Sequence, residues 1–319
     1  MKILVTGGLG LIGHNVVRLL EQQGHHAIIV DTMTTYGLIP QAELDYLKVE
    51  RLKKIQHTPI YHYDIGNRFQ LDQLMQEQQF DTVIHLASFP RQKVVNVDPC
   101  AGSRTMSEGL LNLLELSVKH TVNKFVYISS SMVYGNFTDQ VREDAVCQPQ
   151  GQYGIMKLAG EWLVRDYTRK SNMQHVILRP SAVYGPLDVE DRVISKFLLT
   201  AMRGGTIKVN GANETLDFTY VDDAANGVVS AATLDSASNK TFNITKSHSW
   251  TLLQAAELAV KIMGQGEIVV GDRDQDFPSR GALNIDAARR DLEYDPKVDI
   301  EQGFELYAQW LRNSVYWAN

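Results

Sequence analysis

Tyr153 and Lys157 stand four residues apart in Gln152-Tyr153-Gly154-Ile155-Met156-Lys157. At that spacing two side chains share one face of a helix. An ammonium beside a phenol can lower the phenol's pKa, which is about 10 when unperturbed. Such a phenol can exchange a proton with a hydroxyl near neutral pH. Three serines, Ser129-Ser130-Ser131, lie upstream, and the chain opens with a glycine-rich turn, Thr6-Gly7-Gly8-Leu9-Gly10-Leu11-Ile12-Gly13. Together these groups are equipment for oxidising or reducing a carbinol beside a nicotinamide.

Such groups lie far apart in the chain, so the fold must bring them together. Residues 2–6 read as a short buried strand. Apolar Ile12, Val16, Val17, Leu19 and Leu20 then give residues 12–23 a helical face, which Gly24 stops. Further strands are expected at 26–31, 60–64, 82–87, 124–129 and 175–179, and helices at 69–78, 109–120 and 153–168. Continuous apolar strands between helices imply a parallel sheet covered on both faces. The expected class is α/β, a Rossmann-type doubly wound parallel sheet with a smaller C-terminal α/β substrate lobe. Past Pro180 the pattern changes to glycine-rich turns and short strands, with helices near 194–202 and 252–263. The expected division is a cofactor domain at 1–179, with 217–245 crossing back to it, and a substrate lobe at 180–319. Residues 36–57 are long for a strand connection. The spacing of Leu44, Leu47, Leu52 and Ile55 suggests a helix or two there, a flap over the cofactor.

The opening turn fits two glycine patterns: Gly8, Gly10 and Gly13 satisfy GxGxxG, and Gly7, Gly10 and Gly13 satisfy GxxGxxG. Glycine lets the backbone turn sharply and approach a pyrophosphate seated at the helix N-terminus. Alone the motif is weak, since an ordinary tight turn reads the same. A strand before it, a helix after it and Asp31, 18 positions past Gly13, supply the context it demands. Asp31 would bind the adenosine ribose hydroxyls and repel a 2′-phosphate. Thr32-Met33-Thr34 offers no cation to accept one, so NAD is expected over NADP. Asp64 reads equally as an adenine contact or as a cap for the helix that follows. Leu86-Ala87-Ser88 ends a strand with small residues that let the cofactor ribose approach. His85 reads as a packed strand histidine. Trp162, Trp250, Trp310 and Trp317 read as core or edge packing, and Asp222 or Asp223 as a helix N-cap.

Composition narrows the class. The chain has 319 residues, 44% hydrophobic and 21% charged, with a formal net charge of −6, ordinary for a globular enzyme. No basic patch stands out, so a nucleic-acid partner is not expected. The two cysteines, Cys100 and Cys147, make no metal or disulfide framework and suit a reducing cytosol. No metal site is expected. No apolar run approaches the roughly 20 residues of a membrane span and no signal peptide is visible, so a cytoplasmic location is expected.

The segments TGGLGLIG, HLAS, ISSSMVYG, YGIMK, LRPSAVYGP and DFTYVDD occur in this order at suitable intervals. Together they resemble the extended short-chain dehydrogenase/reductase superfamily, in its NAD-dependent sugar epimerase/dehydratase family. The resemblance spans nearly the whole chain, since Leu283-Asn284-Ile285-Asp286 and Asp291-Leu292-Glu293-Tyr294-Asp295-Pro296 are similar to the family's C-terminal signature. Within the family it is strongest to UDP-glucuronate and UDP-glucose 4-epimerases, and residues 45–52 resemble the uronate branch.

The resemblance implies roles by position. Ser130, three before Val133-Tyr134-Gly135, would hydrogen-bond the reacting oxygen and the Tyr153 phenol. Tyr153 would act as base and then acid, and Lys157 would hold the nicotinamide ribose. Ser129 and Ser131 would be more structural, Ser129 on the cofactor side and Ser131 on the substrate side. The implied cofactor set is Gly7, Gly10, Leu11, Ile12, Gly13, Asp31, Asp64, Ile65, Leu86, Ala87, Ser129, Tyr153, Lys157 and Pro180. The implied reaction oxidises a sugar hydroxyl, turns the keto-sugar over and returns hydride to its other face. Dehydratases of the family carry an Asp-Glu pair where this chain has Ser131 and Met132, so elimination of water is disfavoured. Three usual phosphate donors of the family are replaced by Met106, Ala182 and Leu216. Phosphate oxygens need charged or amide donors. Arg91, Lys93, Arg192, Lys196 and Arg280 are the candidate replacements, Arg280 foremost, and each also reads as a solvated surface cation. A nucleotide sugar is the implied substrate, and the helices at 109–120 and 153–168 are candidates for a four-helix homodimer interface. Two other readings stand: a dehydrogenase or reductase of another hydroxy compound on the same scaffold, and a non-catalytic NAD-binding protein.

Overall fold

The computed structural model describes residues 1–34, 37–275 and 277–317; Tyr36, the first residue of the expected flap, lies outside them. The first half runs β1 (Lys2–Thr6), α1 (Leu11–Gln22), β2 (His26–Val30), α2 (Gln41–Leu52), β3 (Ile60–Tyr61), α3 (Arg68–Gln78) and β4 (Thr82–His85). It continues with α4 (Gln92–Val97), α5 (Pro99–Ser103), a π-helical turn (Arg104–Gly109), α6 (Leu110–Lys119), β5 (Lys124–Ile128), α7 (Gly151–Arg169) and β6 (Gln174–Pro180). Then follow β7 (Val183–Tyr184), α8 (Val193–Met202), β8 (Thr206–Asn210), β9 (Thr215–Asp217), β10 (Thr219–Tyr220), α9 (Val221–Thr233) and β11 (Lys240–Ile244). The chain closes with β12 (Ser249–Thr251), α10 (Leu252–Met263), β13 (Glu267–Gly271), α11 (Asp286–Leu292) and α12 (Ile300–Arg312).

Seven parallel strands form the main sheet in the order β11-β6-β5-β4-β1-β2-β3. Side-chain alternation builds its two cores. Ile3, Val5, Ile29 and Val126 pack on Val16, Val17 and Leu20 of α1 and on Val228 and Val229 of α9. Leu4, Ile28, Val83, Phe125 and Ile177 pack on Leu71 and Leu74 of α3, Leu113 and Leu114 of α6 and Val164 of α7. Each such side chain stabilises the fold by about 1.5–3 kcal/mol relative to exposure. The edge strand β11 pairs in parallel with β6 after a first excursion of the chain through the lobe, to which it then returns. In the lobe β8 pairs with β13, β9 with β12 and β10 with β7, around a core that includes Tyr184, Phe197, Leu198, Ile207, Ala255, Phe304 and Tyr307. Among the described residues no helix is long and apolar enough to cross a membrane.

Several local expectations are corrected. The strand expected at 60–64 stops at Tyr61, because the Tyr63 N–H bonds the Tyr61 carbonyl and turns the chain out of the ladder. The strand expected at 82–87 ends at His85, where the Ala87 N–H turns to the Thr6 hydroxyl. Asp64 is not the cap of α3: Asn67 accepts from the Gln70 N–H, while Asp64 accepts from the Gly66 N–H. Asp222 and Asp223 lie inside the first turn of α9 rather than at its cap. Asp222 pairs with Arg18, and Asp223 accepts from the N–H groups of Lys297 and Val298. Trp162 is 65% exposed and so is neither core nor edge packing. The helix expected between 36 and 57 is α2, and its Leu47 enters the lobe core. The short helices α4 and α5 have no counterpart in the sequence reading.

Candidate active site

The strand order reverses between β1 and β4, so the loops at their C-terminal ends open a crevice where ligands of this fold bind. The glycine turn lines it. Gly7 has φ +72°, and a Cβ there would stand 2.6 Å from the Ala87 nitrogen; a Cβ on Gly13 would stand 2.2 Å from the Gly7 carbonyl oxygen. Gly8 is also closed to a side chain, by Ile29 at 2.7 Å, whereas Gly10 meets only the Gly7 oxygen at 3.2 Å. The Leu9 N–H donates to Asp31 Oδ2 at 3.0 Å and the Met33 N–H to Oδ1 at 2.8 Å, so Asp31 is held at the end of β2 beside the turn. Leu11 and Ile12 begin α1, and Ile12 packs against the sheet core. Leu86 packs partly on the same core, beyond β4. Ile65 is buried against Gly109, where an added Cβ would stand 2.6 Å from Ile65 Cδ1, and Asn112 binds its carbonyl. Pro180 ends β6 at the same C-terminal edge of the sheet. The tight turn, the helix N-terminus and the Asp31 carboxylate fit a dinucleotide with free ribose hydroxyls.

The reacting groups come from β5 and α7. Ser130 lies just past β5 in extended conformation, and its Oγ accepts from the Met132 N–H at 3.2 Å. Tyr153, Lys157 and Glu161, each four apart, form one buried face of α7. Gln92 of α4, which the sequence reading missed, fixes the start of that helix: its Oε1 accepts from the Tyr153 N–H at 3.1 Å. Lys157 Nζ donates to the Ile128 carbonyl at 2.7 Å and lies 5.8 Å from the Tyr153 ring centre. Burial takes the Lys157 ammonium down to about 7, opposed by the Glu161 charge. Burial also pushes the Tyr153 phenol above its ordinary value, against the Ser130 hydroxyl and the charges of Arg192 and Arg280. The expected depression of the phenol by Lys157 is therefore corrected. Desolvation dominates, and the cations that oppose the rise are two arginines of the substrate side.

Behind Lys157 lies a second missed group. Glu161 accepts from the Ser129 hydroxyl at 2.6 Å and from Arg179 Nε and Nη2 at 2.8 and 2.7 Å, with both charges buried. Arg179 also donates to the Tyr134 hydroxyl, which donates to Asn243 of β11. The one signal for Glu161 in the sequence was its spacing, four past Lys157. Ser129 thus works from behind the site. His85 is a packed histidine on Thr6, pushed down to about 3 by burial and by Lys157.

On the substrate side Ser131 donates to the Ser181 hydroxyl at 3.2 Å. Arg280 is half-buried, and its Nε has no hydrogen-bond partner among the described residues; burial and the neighbouring Arg192 take it down to about 10. Arg91 and Lys93 both pair with Asp191, at 2.7 and 2.8 Å. Lys196, one turn beyond Arg192 on α8, lines a cavity of about 290 Å³ with Phe197, Thr200, Thr206, Ile207 and Lys208. Met106 is buried against Met132 and Tyr153, Leu216 packs in the lobe core, and Ala182 adopts the left-handed region at φ +36°.

A crevice at the sheet's switch point, a glycine turn closed to side chains, and Ser130, Tyr153 and Lys157 in one buried cluster define an NAD-binding enzyme of the extended short-chain dehydrogenase/reductase class. Residues 3–245 match the model of the NAD dependent epimerase/dehydratase family. The chain belongs to that family, is of its epimerase type, and uses NAD. It is 28% identical to an uncharacterised UDP-glucose epimerase of Bacillus subtilis (strain 168), over 99% of both chains. It superposes on the crystal structure of a UDP-glucuronic acid 4-epimerase from Bacillus cereus, in complex with UDP-glucuronic acid and NAD, with TM-score 0.90 and 27% identity, covering 98% of this chain and 99% of that one. A UDP-glucose 4-epimerase of Thermotoga maritima with UDP-glucose matches with TM-score 0.89 and 27% identity, over 99% and 100%.

Asp31→Ala is expected to shrink the preference for NAD over NADP by roughly 10-fold, about the worth of one charge-assisted hydrogen bond. Titration of both cofactors into the purified variant measures it, and an unchanged ratio would remove Asp31 from the ribose site.

Proposed function

We propose that the chain is a cytoplasmic nucleotide-sugar 4-epimerase acting on a UDP-sugar of the glucuronate or glucose type. The observation that carries this reading is the buried Ser130–Tyr153–Lys157 cluster with Ser131 and Met132 beside it. Neither of those two neighbours is a carboxylic acid, so the site can move a proton and hydride but has no acid–base pair for eliminating water.

Bound NAD supplies the hydride acceptor and donor. The chain's own residues do the rest. Ser130 holds the reacting oxygen and the phenol in one hydrogen-bonded line. Tyr153 takes the hydroxyl proton as the carbinol becomes a ketone and gives it back on reduction. Lys157, anchored on the Ile128 carbonyl, sets the ribose and the charge beside Tyr153. Arg192 and Arg280 face Tyr153 electrostatically and take the pyrophosphate in place of the donors replaced at Met106, Ala182 and Leu216. The cavity at Lys196 and Lys208, between α8 and β8, takes the nucleobase. Residues 1–179 with 217–245 serve the cofactor, and the remainder serve the nucleotide sugar.

The test incubates the purified enzyme with UDP-glucuronate and UDP-glucose, following NADH absorbance and the configuration at C4. A transient NADH signal with C4 inversion and no net cofactor turnover is expected. Accumulating NADH would replace this reading with a dehydrogenase, and no signal with any nucleotide sugar would leave only cofactor binding.

A homodimer belongs to the same proposal. Ile155 and Trp162, 53% and 65% exposed, sit seven apart on α7 and form one apolar stripe. With α6 they would complete a four-helix contact with a second copy. Sedimentation at micromolar concentration should give a dimer, and Trp162→Glu a monomer. A wild-type monomer would refute the contact.

A further inference from the structure

Arg51 lies in the last turn of α2 with its guanidinium buried. Nη1 donates to the Leu9 carbonyl at 2.8 Å and Nη2 to the Leu187 carbonyl at 2.6 Å. Leu9 is in the glycine turn, and its own N–H is held by Asp31. Leu187 is in the lobe and fully buried, yet it stands at φ +70°, a region bulky residues avoid. Nε has no partner among the described residues, and the charge is offset across space by Asp188 and Asp31. A buried cation bound to backbone carbonyls alone is a costly way to add stability. It is well suited to holding two backbone segments at a fixed separation.

What lies beyond Leu187 gives that separation a purpose. Asp188 is buried, its Oδ2 stands 3.6 Å from Arg192 Nε, and Arg192 Nη2 donates to the Val183 carbonyl at 3.2 Å. Arg192 is one of the two arginines whose charge reaches Tyr153. The other end of α2 is tied to the same corner, because Glu43 Oε1 accepts from the Glu190 N–H at 2.7 Å. The C-terminal tail seals it: Ser314 donates to the Tyr46 hydroxyl, and Trp317 Nε1 to Glu190.

We propose that Arg51 is a positioning residue that braces the glycine turn against the 187–192 corner, so that seating the cofactor fixes where Arg192 stands. Its consequence for turnover rests on the reading above, in which Arg192 faces the substrate.

Hydrogen exchange on the full-length enzyme, with NAD alone as the probe, tests the brace without any substrate. In the wild type NAD should slow exchange by about 10-fold both in the glycine turn and at 187–192, a coupling of ordinary size. In R51M the slowing should persist in the turn and vanish at 187–192. R51K keeps the charge but not the fork, and should give partial slowing at the corner. With UDP-glucuronate, KM of R51K should rise about 10-fold with a smaller change in kcat. Wild-type protein without slowing at 187–192, or R51M with full slowing there, overturns the proposal. Should R51M fail to fold, full wild-type slowing and KM in R51K overturn it instead. A wild type that shows the slowing but turns over no UDP-sugar sinks the functional reading and leaves the brace standing.

Discussion

Tyr153→Phe should lower kcat by about 10²–10⁴-fold, the usual worth of a positioned general acid–base, while the purified protein still binds NAD. The phenyl ring keeps the packing against Met106 and Met132, and the helix start stays fixed because Gln92 binds the Tyr153 backbone, not the side chain. What is lost is the hydroxyl that meets Ser130, so a fall in kcat separates chemistry from binding. Rapid-quench turnover with UDP-glucuronate or UDP-glucose and a fluorescence titration with NAD give the two readouts. Turnover within about tenfold of wild type would mean another group carries the proton, and loss of NAD binding would mean the phenol is needed to build the site.

The parts of this site that lay in the sequence are those fixed by short-range geometry. The Gly7–Gly13 turn needs residues without Cβ within one loop, and the distances to Ala87 and Gly7 show why. Tyr153 and Lys157 share a helix face by spacing alone. Apolar runs marked β1, β2, β4, β5 and β6, which became the centre of the sheet. The misses have long-range causes. Gln92 reaches Tyr153 across 61 positions and Arg51 reaches Leu187 across 136, and neither residue sits in a periodic pattern that could announce it. β3 shrank because a local turn at Tyr61–Tyr63 overrode its apolar pattern. The effect of burial on the phenol and the ammonium depends on how much protein surrounds them, which no local spacing encodes.

Glu161→Gln separates support from chemistry in the same cluster. Glu161 and Arg179 are buried together, and removing one charge of such a pair costs about 3–5 kcal/mol because the other is left uncompensated. A loss of unfolding free energy of that size, read as a lower denaturant midpoint, is expected. Burial alone would raise the Glu161 carboxyl, but the Arg179 bonds and charge carry it below the ordinary glutamate value. A group with a lowered folded pKa contributes stability above its unfolded pKa and loses it as pH falls through the folded one. That acid-side contribution should be missing from the variant. The second readout is catalytic. The Glu161 charge holds the Lys157 ammonium up, against burial that has already brought it to about 7. Without that charge the Lys157 pKa falls further, so at neutral pH more of it is uncharged. If the ammonium form serves catalysis, the alkaline fall in kcat/KM must begin at lower pH in Glu161→Gln than in wild type. Reduced stability with an unmoved alkaline limb would make Glu161 a packing residue and no more. A limb displaced to lower pH, measured where both proteins are folded, shows that the buried pair behind α7 sets the charge of the lysine in front of it.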